Sequence, residues 1–452
     1  MAAPAVAQAQ AGAVAPPATR GPGPVARLRR AAATPPGRLR AAGAVLAALV
    51  LLFGAVAVWQ SAHRSRAAGQ VVTGSGPLSQ DAAEIYRRLA DADATAAAGF
   101  LLAGDEPAEV RARYQDDLAT ASRLIAEAAG RSGGSAGAQH SLSELNRQLP
   151  RYAGLVETAR AINRQGLPLG GAYLRYASDL MQGTVLPEAQ RLADAESAGL
   201  DADYRTAGAV PWTALALGVL ALAALGRYQV LLFRRTNRVF NPGLLGASLA
   251  VFTAVVWLAA GTATANSDLE TSRRYGTRPL RDLDLVRIEA LQAHTAENLN
   301  LVARGASDRY TKQWDDLVRK LDESPRFPGS VDRLAIGGPD SATGPLNDAA
   351  QQYAQWQARH KDAAAKDSAG DYEAALRATL TPRGTDATAE AAFRAADAKW
   401  ALAAQAEQDA FARAAGGVDG VLAGQAVAAG VLSALAAGAA LRGIGRRLAE
   451  YR

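Results

Sequence analysis

The sequence predicts an all-α membrane protein in which four transmembrane helices carry two extracytoplasmic four-helix bundles, the second a duplicate of the first. Three observations lead there. Four long runs lack any ionisable side chain, and the basic residues that flank them collect in three short segments. The large polar regions between them show helical spacing and no useful β-type alternation.

The apolar runs are residues 41–59, 210–226, 244–261 and 421–441. Runs of this length without charge read as membrane spans, because a helix needs roughly 20 apolar residues to cross the hydrocarbon. Outside them, residues 1–40, 227–243 and 442–452 hold 6, 4 and 4 arginines against one acid, Glu450. Residues 60–209 hold 15 basic and 18 acidic side chains, and residues 262–420 hold 20 and 24. Basic loops stay in the cytoplasm, so both termini and the loop 227–243 are expected inside and the two large regions outside. The pI of about 9.6 is then a matter of topology, and no nucleic-acid partner is expected. Trp59, Trp212 and Trp257 stand at the outer ends of three spans, where an indole settles at the headgroup layer of the bilayer.

In chain order, residues 1–40 are rich in Ala, Pro and Gly and cannot bury enough apolar surface to offset their ordering entropy, so a disordered basic tail is expected. The run 41–59, 19 residues long after such a tail, reads as an uncleaved anchor rather than a signal peptide cut near Ala55-Val56-Ala57. In 60–209, Leu78, Ala82, Ile85, Leu89, Ala92, Ala96, Gly99 and Ala103 recur at spacings of four and three, a coiled-coil-like seam. Breakers at Gly104-Asp105-Glu106-Pro107, at residues 130–137 and at residues 166–171 then divide the region into four helices. An antiparallel bundle is the simplest packing for these.

Residues 262–420 repeat that pattern. Thr95-Ala96 recurs as Thr295-Ala296, Leu101-Leu102-Ala103 as Leu301-Val302-Ala303, and Asp116-Asp117-Leu118 as Asp315-Asp316-Leu317. Tyr152-Ala153 pairs with Tyr353-Ala354, and Gly171-Ala172-Tyr173 with Gly370-Asp371-Tyr372, at offsets that stay between 199 and 201. A Pro/Gly-bearing insert at residues 324–345 interrupts the second copy and is a candidate contact loop. In the last span Ala426, Gly430, Ala434 and Gly438 form a small-residue face that either packs a helix closely or reflects the alanine-rich composition.

Signatures of chemistry are missing. His63, His140, His294 and His360 are isolated, without metal-ligand spacing, and solvated positions are expected for them. The acidic pairs Asp116-Asp117 and Asp315-Asp316 read as solvated helix faces, since adjacent helical residues point about 100° apart. No phosphate-loop ending follows the glycine run at 130–137. No enzyme activity, catalytic residue, metal or cofactor is expected. Transport has little support either: Gln425 is the only long polar side chain in any span.

A span, a helical outer region of about 150 residues and a returning span resemble the four-helix-bundle sensor module of bacterial chemoreceptors and sensor kinases. Two such modules joined by an arginine-rich turn, with no attached kinase, resemble the GlnX family of actinobacterial membrane proteins. Only five lysines beside 44 arginines, in an alanine-rich chain, fit such a high-G+C source. The resemblance implies a relay of amino-acid availability from an extracellular solute-binding lipoprotein to a cytoplasmic Ser/Thr protein kinase. It rests on architecture and carries no ligand-binding residue over. The cytoplasmic surface open to a partner is basic: Arg227, Arg234, Arg235, Arg238, Arg442, Arg446 and Arg447, which equally serve to set topology. A scaffold of the cell envelope and an accessory subunit of a transporter are the alternative functions.

The chain has no cysteine, which makes its topology directly testable. A single cysteine at Ser135 or Ser341 should react with a membrane-impermeant maleimide on intact cells, and one at Thr236 should not. Labelling at Thr236 overturns the orientation.

Overall fold

Alanine, leucine and arginine are the most frequent residues of the polar regions, and residues of this kind lose little side-chain freedom in a helix. The computed structural model describes residues 35–102, 106–131, 136–236, 241–273, 278–304, 308–323, 340–380, 387–415 and 418–449. The tail at 1–34, Arg238 and all of the insert before residue 340 lie outside them. The described residues form α1 (Pro35–Thr73), α2 (Ser75–Leu101), α3 (Ala108–Arg131), α4 (Ala136–Arg164), α5 (Leu169–Leu180), a π turn (Met181–Val185) and α6 (Leu186–Ala207). There follow α7 (Trp212–Thr236), α8 (Pro242–Ser272), α9 (Arg278–Ala303), α10 (Arg309–Glu323), α11 (Asp340–Ser368), α12 (Tyr372–Thr379), α13 (Ala389–Ala415) and α14 (Val418–Ala449). No strand occurs among the described residues.

Helix ends follow the glycines. Gly166 (φ 71°) and Gly370 (φ 86°) take the left-handed conformation that closes α4 and α11. At each, the next amide reaches back five residues, Leu167 to Ile162 at 3.3 Å and Asp371 to Lys366 at 3.0 Å, which satisfies a carbonyl of the last turn. Gly166 and Gly370 thus close their helices in the same way, whereas Gly171, the residue that the sequence pairs with Gly370, lies inside α5.

The chain divides into two compact units. One holds residues 1–57, 212–257 and 428–452, the other residues 58–211 and 258–427. Among the described residues four helices are long and apolar enough to cross a membrane, and the chain is an all-α membrane protein. In the apolar unit glycines set the close approaches. A Cβ on Gly54 of α1 would lie 2.4 Å from Ser433 Cβ of α14, and one on Gly218 of α7 would lie 2.5 Å from Val255 Cγ2 of α8. At one end Gly243 meets Gly443, and Asn241 Nδ2 donates to the Gly443 carbonyl at 2.9 Å. The face that α14 buries carries Leu422, Gln425, Ala429, Ser433, Ala436 and Ala440. The small-residue face expected from sequence is not the packed one, for Ala434 and Gly438 are exposed. In so alanine-rich a helix, small residues lie on every side.

The polar unit is built on α2 and α9, the first helices of its two halves, which pack against each other. Helices α3 and α6 flank α2, α10 and α13 flank α9, and α4 with α5 and α11 with α12 complete the halves. One continuous core runs through both, from Ile85, Leu89, Leu145 and Tyr152 to Ile288, Trp356 and Trp400. Losing either tryptophan to alanine removes on the order of 3–5 kcal/mol. A smaller cluster closes the base around Val71, Leu200, Tyr204, Leu269 and Phe411, and another closes the tip around Leu101, Leu301 and Leu380.

The two halves also touch near the tip, where a Cβ on Gly171 of α5 would lie 3.3 Å from Val302 Cγ1 of α9. The double variant Gly171→Cys/Val302→Cys should therefore oxidise within a single chain, read as a monomer-sized band with altered mobility on non-reducing gels. A disulfide found only in dimers contradicts this packing.

Candidate functional site

The site with the densest polar chemistry lies where the halves meet. Every residue from Leu89 to Gly99 in α2 is buried, so this helix is enclosed on all sides rather than along one seam. Alanines make that possible, because small side chains let neighbouring helices close in around the axis. Enclosure also carries two carboxylates inside, and buried charge is tolerated only with partners.

Asp91 is met by Arg113 Nη2 of α3 at 2.9 Å. The same guanidinium lies 3.9 Å from Asp397 of α13, and Asp397 accepts from Arg287 Nε of α9 at 2.9 Å. This chain of charges ties the first half to the second. Beside it Arg88 pairs with Asp117 at 2.8 Å, Glu84 at 2.7 Å and Asp116 at 3.2 Å. The expectation of a solvated face at 116–117 is corrected: Asp116 is exposed, but Asp117 is fully buried under Arg88. Asp315 and Asp316 are exposed, as the sequence implied. Asp284 of α9 faces Arg287, Arg87 and Glu84, and burial pushes its carboxyl up to about 6.

Among the described residues no cation pairs with Asp93. Its oxygens accept from Tyr152 at 3.2 Å, Ser178 at 2.8 Å and Gln182 at 2.9 Å. Gln182 belongs to the π turn, an irregularity that often marks functional positions. Burial raises the Asp93 carboxyl to about 6, against the three hydrogen bonds that favour its charged form.

In the second half the histidines depart from expectation. His63 and His140 are exposed, whereas His294 is buried and His360 is half-buried. His294 sits between Glu297 (3.1 Å from Nδ1) and Glu390 (2.5 Å from Nε2), stacked on Phe393. Glu297 also accepts from Trp356 Nε1 at 2.9 Å and lies 2.9 Å from His360 Nδ1. Burial alone would depress His294, but Glu390 and Glu297 outweigh it and raise it to about 9. Burial likewise works against both carboxylates, and their histidine partners bring each down to about 2. The His294 contribution to stability is thus complete below about pH 6.5 and lost as pH rises through 9. Nothing in a lone His distinguishes this in sequence; the companion signal is Glu three residues on, one helical turn away.

Towards the base, a cleft of about 170 Å³ opens between α2, α6 and α9, lined among others by Tyr86, Asp194, Asp201, Arg273, Arg281 and Asp284. Arg281 lies 3.3 Å from Asp194 and Arg273 3.1 Å from Asp201, both pairs accessible to solvent. Such exposed pairs contribute little to stability. No cluster of potential metal ligands occurs among the described residues.

The sequence-derived surface residues lie elsewhere. Arg227 and Arg234 are exposed on α7, Arg442 and Arg446 on α14, and Arg235 and Arg447 belong to the same two helices. The Asn241–Gly443 bond brings the start of α8 beside the stretch of α14 that carries Arg442 and Arg446. Trp59, Trp212 and Trp257 are all exposed.

Residues 67–205, covering most of the first half, match the family model of the actinobacterial sensor domain. This likeness points to a sensing or signalling role. No curated protein and no solved structure matches the chain.

Asp93 lies within the matched residues, and its raised carboxyl has a measurable consequence. Its stabilising effect is fully present below its unfolded value of 3.8 and is lost as pH rises through about 6. At neutral pH the ionised group costs about 3 kcal/mol. Urea unfolding of Asp93→Asn should therefore show higher stability at neutral pH and a flatter profile between pH 4 and 7 than the parent. Identical slopes exclude this reading of Asp93.

Proposed function

We propose that the chain is a non-enzymatic transmembrane relay that passes extracellular amino-acid availability, through a solute-binding lipoprotein docked on the polar unit, to a cytoplasmic Ser/Thr protein kinase. The observation that carries the reading is the continuity of helices. Helix α1 runs 39 residues and α8 runs 31 without a break, about 58 and 46 Å, against a hydrocarbon core of about 30 Å. Each is a stiff rod long enough to cross a bilayer and still take part in the polar bundle. A displacement of one rod by an ångström or two is on the scale of known signalling shifts.

The match of residues 67–205 to a sensor domain supports the input side. On the output side, a partner finds the basic ends of α7 and α14, with Arg227, Arg234, Arg442 and Arg446 exposed. Such a surface complements an acidic patch on a kinase. The halves are read as a duplicated module, a self-contained version of the homodimer that a two-span sensor forms.

The test uses the intact protein in its own cell. Deletion should abolish a nutrient-dependent change in kinase-substrate phosphorylation, and the triple variant Arg234→Gln/Arg235→Gln/Arg238→Gln, with insertion verified by maleimide labelling, should weaken partner recruitment. Altered cell shape or division whatever the nutrient, with phosphorylation intact, favours an envelope scaffold instead.

A further inference from the structure

A second recess, of about 530 Å³, opens between the middle of α1 and the C-terminal end of α6. Trp59, Gln60, His63, Arg64, Arg205 and Pro211 are among the residues that line it, and no acidic side chain does. Arg64 is the unusual member, only 3 % exposed. Its Nε donates to the Ala207 carbonyl at 2.9 Å, Nη1 to Thr262 Oγ1 at 3.1 Å and Nη2 to Asn266 Oδ1 at 3.5 Å. All three acceptors are neutral, and a guanidinium has five N–H donors. No carboxylate lies within ion-pair distance among the described residues. The C-terminal end of α6 supplies a partial negative charge, roughly half an elementary charge, and leaves the remainder unneutralised. Arg205, exposed on the last turn of α6, adds a second guanidinium to the same recess.

Height decides what anion is at hand. Trp59 is the last residue of the first apolar run and Val210 the first of the second. His63 and Arg64 follow Trp59 by four and five residues, and Arg205 precedes Val210 by five. At 1.5 Å per residue these groups stand about 6–8 Å beyond the hydrocarbon edge. The headgroup layer on each side is itself about 5–8 Å thick, so the guanidiniums stand at the level of lipid phosphates. Exposed Trp59, stacked parallel to His63 with ring centroids 6.0 Å apart, marks the same boundary.

We propose that this recess binds the phosphate of an anionic phospholipid headgroup, with Arg64 and Arg205 as its charge partners and Trp59 and His63 at its rim. The bound lipid supplies the negative charge that Arg64 lacks inside the protein. It also joins α1, through Arg64, to the end of α6.

The full chain, reconstituted in nanodiscs of phosphatidylcholine with or without phosphatidylglycerol, is examined by native mass spectrometry and by thermal melting. One phosphatidylglycerol should be retained per chain, and phosphatidylcholine should not replace it. Arg205→Gln, at an exposed position whose loss leaves the packing intact, should weaken retention about fivefold. Arg64→Lys should keep the lipid and Arg64→Gln lose it. Inorganic phosphate is the competing source: if it alone raises the melting temperature in phosphatidylcholine as far as phosphatidylglycerol does, the lipid assignment fails. Equal retention of both lipids, or retention unchanged in Arg205→Gln and Arg64→Gln alike, overturns the site altogether.

Discussion

The contact between α2 and α9 is the constraint on which the polar unit depends. With α3 to α6 packed on its other sides, α2 is so enclosed that Asp91 and Asp93 are buried and are satisfied by other helices. Arg113 from α3, Ser178 from α5, Gln182 from the π turn and Tyr152 from α4 each reach inward to do so. Their positions are therefore set by electrostatics as much as by apolar packing. Removing one partner of a buried charge pair costs roughly 3–5 kcal/mol, and sliding one helix by a turn would break several at once. Apolar burial holds the helices together, and the buried charges fix their register.

The four apolar helices, the helix end at Gly166 and the all-α class were legible in the sequence because their signals are local. Absence of charge over an apolar run, or a glycine closing α4, needs no knowledge of the partner surface. The buried groups were not legible for the opposite reason. Asp117 and His294 look like ordinary polar positions until α2 and α13 cover them, and apart from Glu297 one turn after His294 nothing near them in sequence reports that covering. Asp91 and Asp93 lay off the apolar seam that the spacing revealed: Asp93 is covered by α4, α5 and the π turn, and Asp91 by Arg113 of α3 beside Asp397 of the second half. The packed face of α14 was missed on different grounds: alanine supplies no contrast between its sides.

The two halves of the polar unit differ in chemistry. In the first, α5 and α6 join through a π turn that brings Gln182 to Asp93. In the second, α12 ends at an extended Leu380 and α13 begins at Ala389. One half centres on a carboxylate held by neutral donors, the other on an imidazole held between two carboxylates. These centres answer to pH with opposite sign: Asp93 favours the fold in its protonated state at low pH and opposes it once ionised. His294 favours the fold while it carries a proton and loses that effect only in alkaline solution.

Because both halves reside on one polypeptide, their association is insensitive to dilution. Two separate subunits would exchange partners and fall apart as their copy number fell, whereas tethered surfaces meet at an effective concentration of roughly millimolar order. A cell could then hold very few copies and still have every one assembled. Each half is also free to vary alone, since a substitution occurs once per assembly instead of twice. Unequal centres at Asp93 and His294 are what such freedom permits.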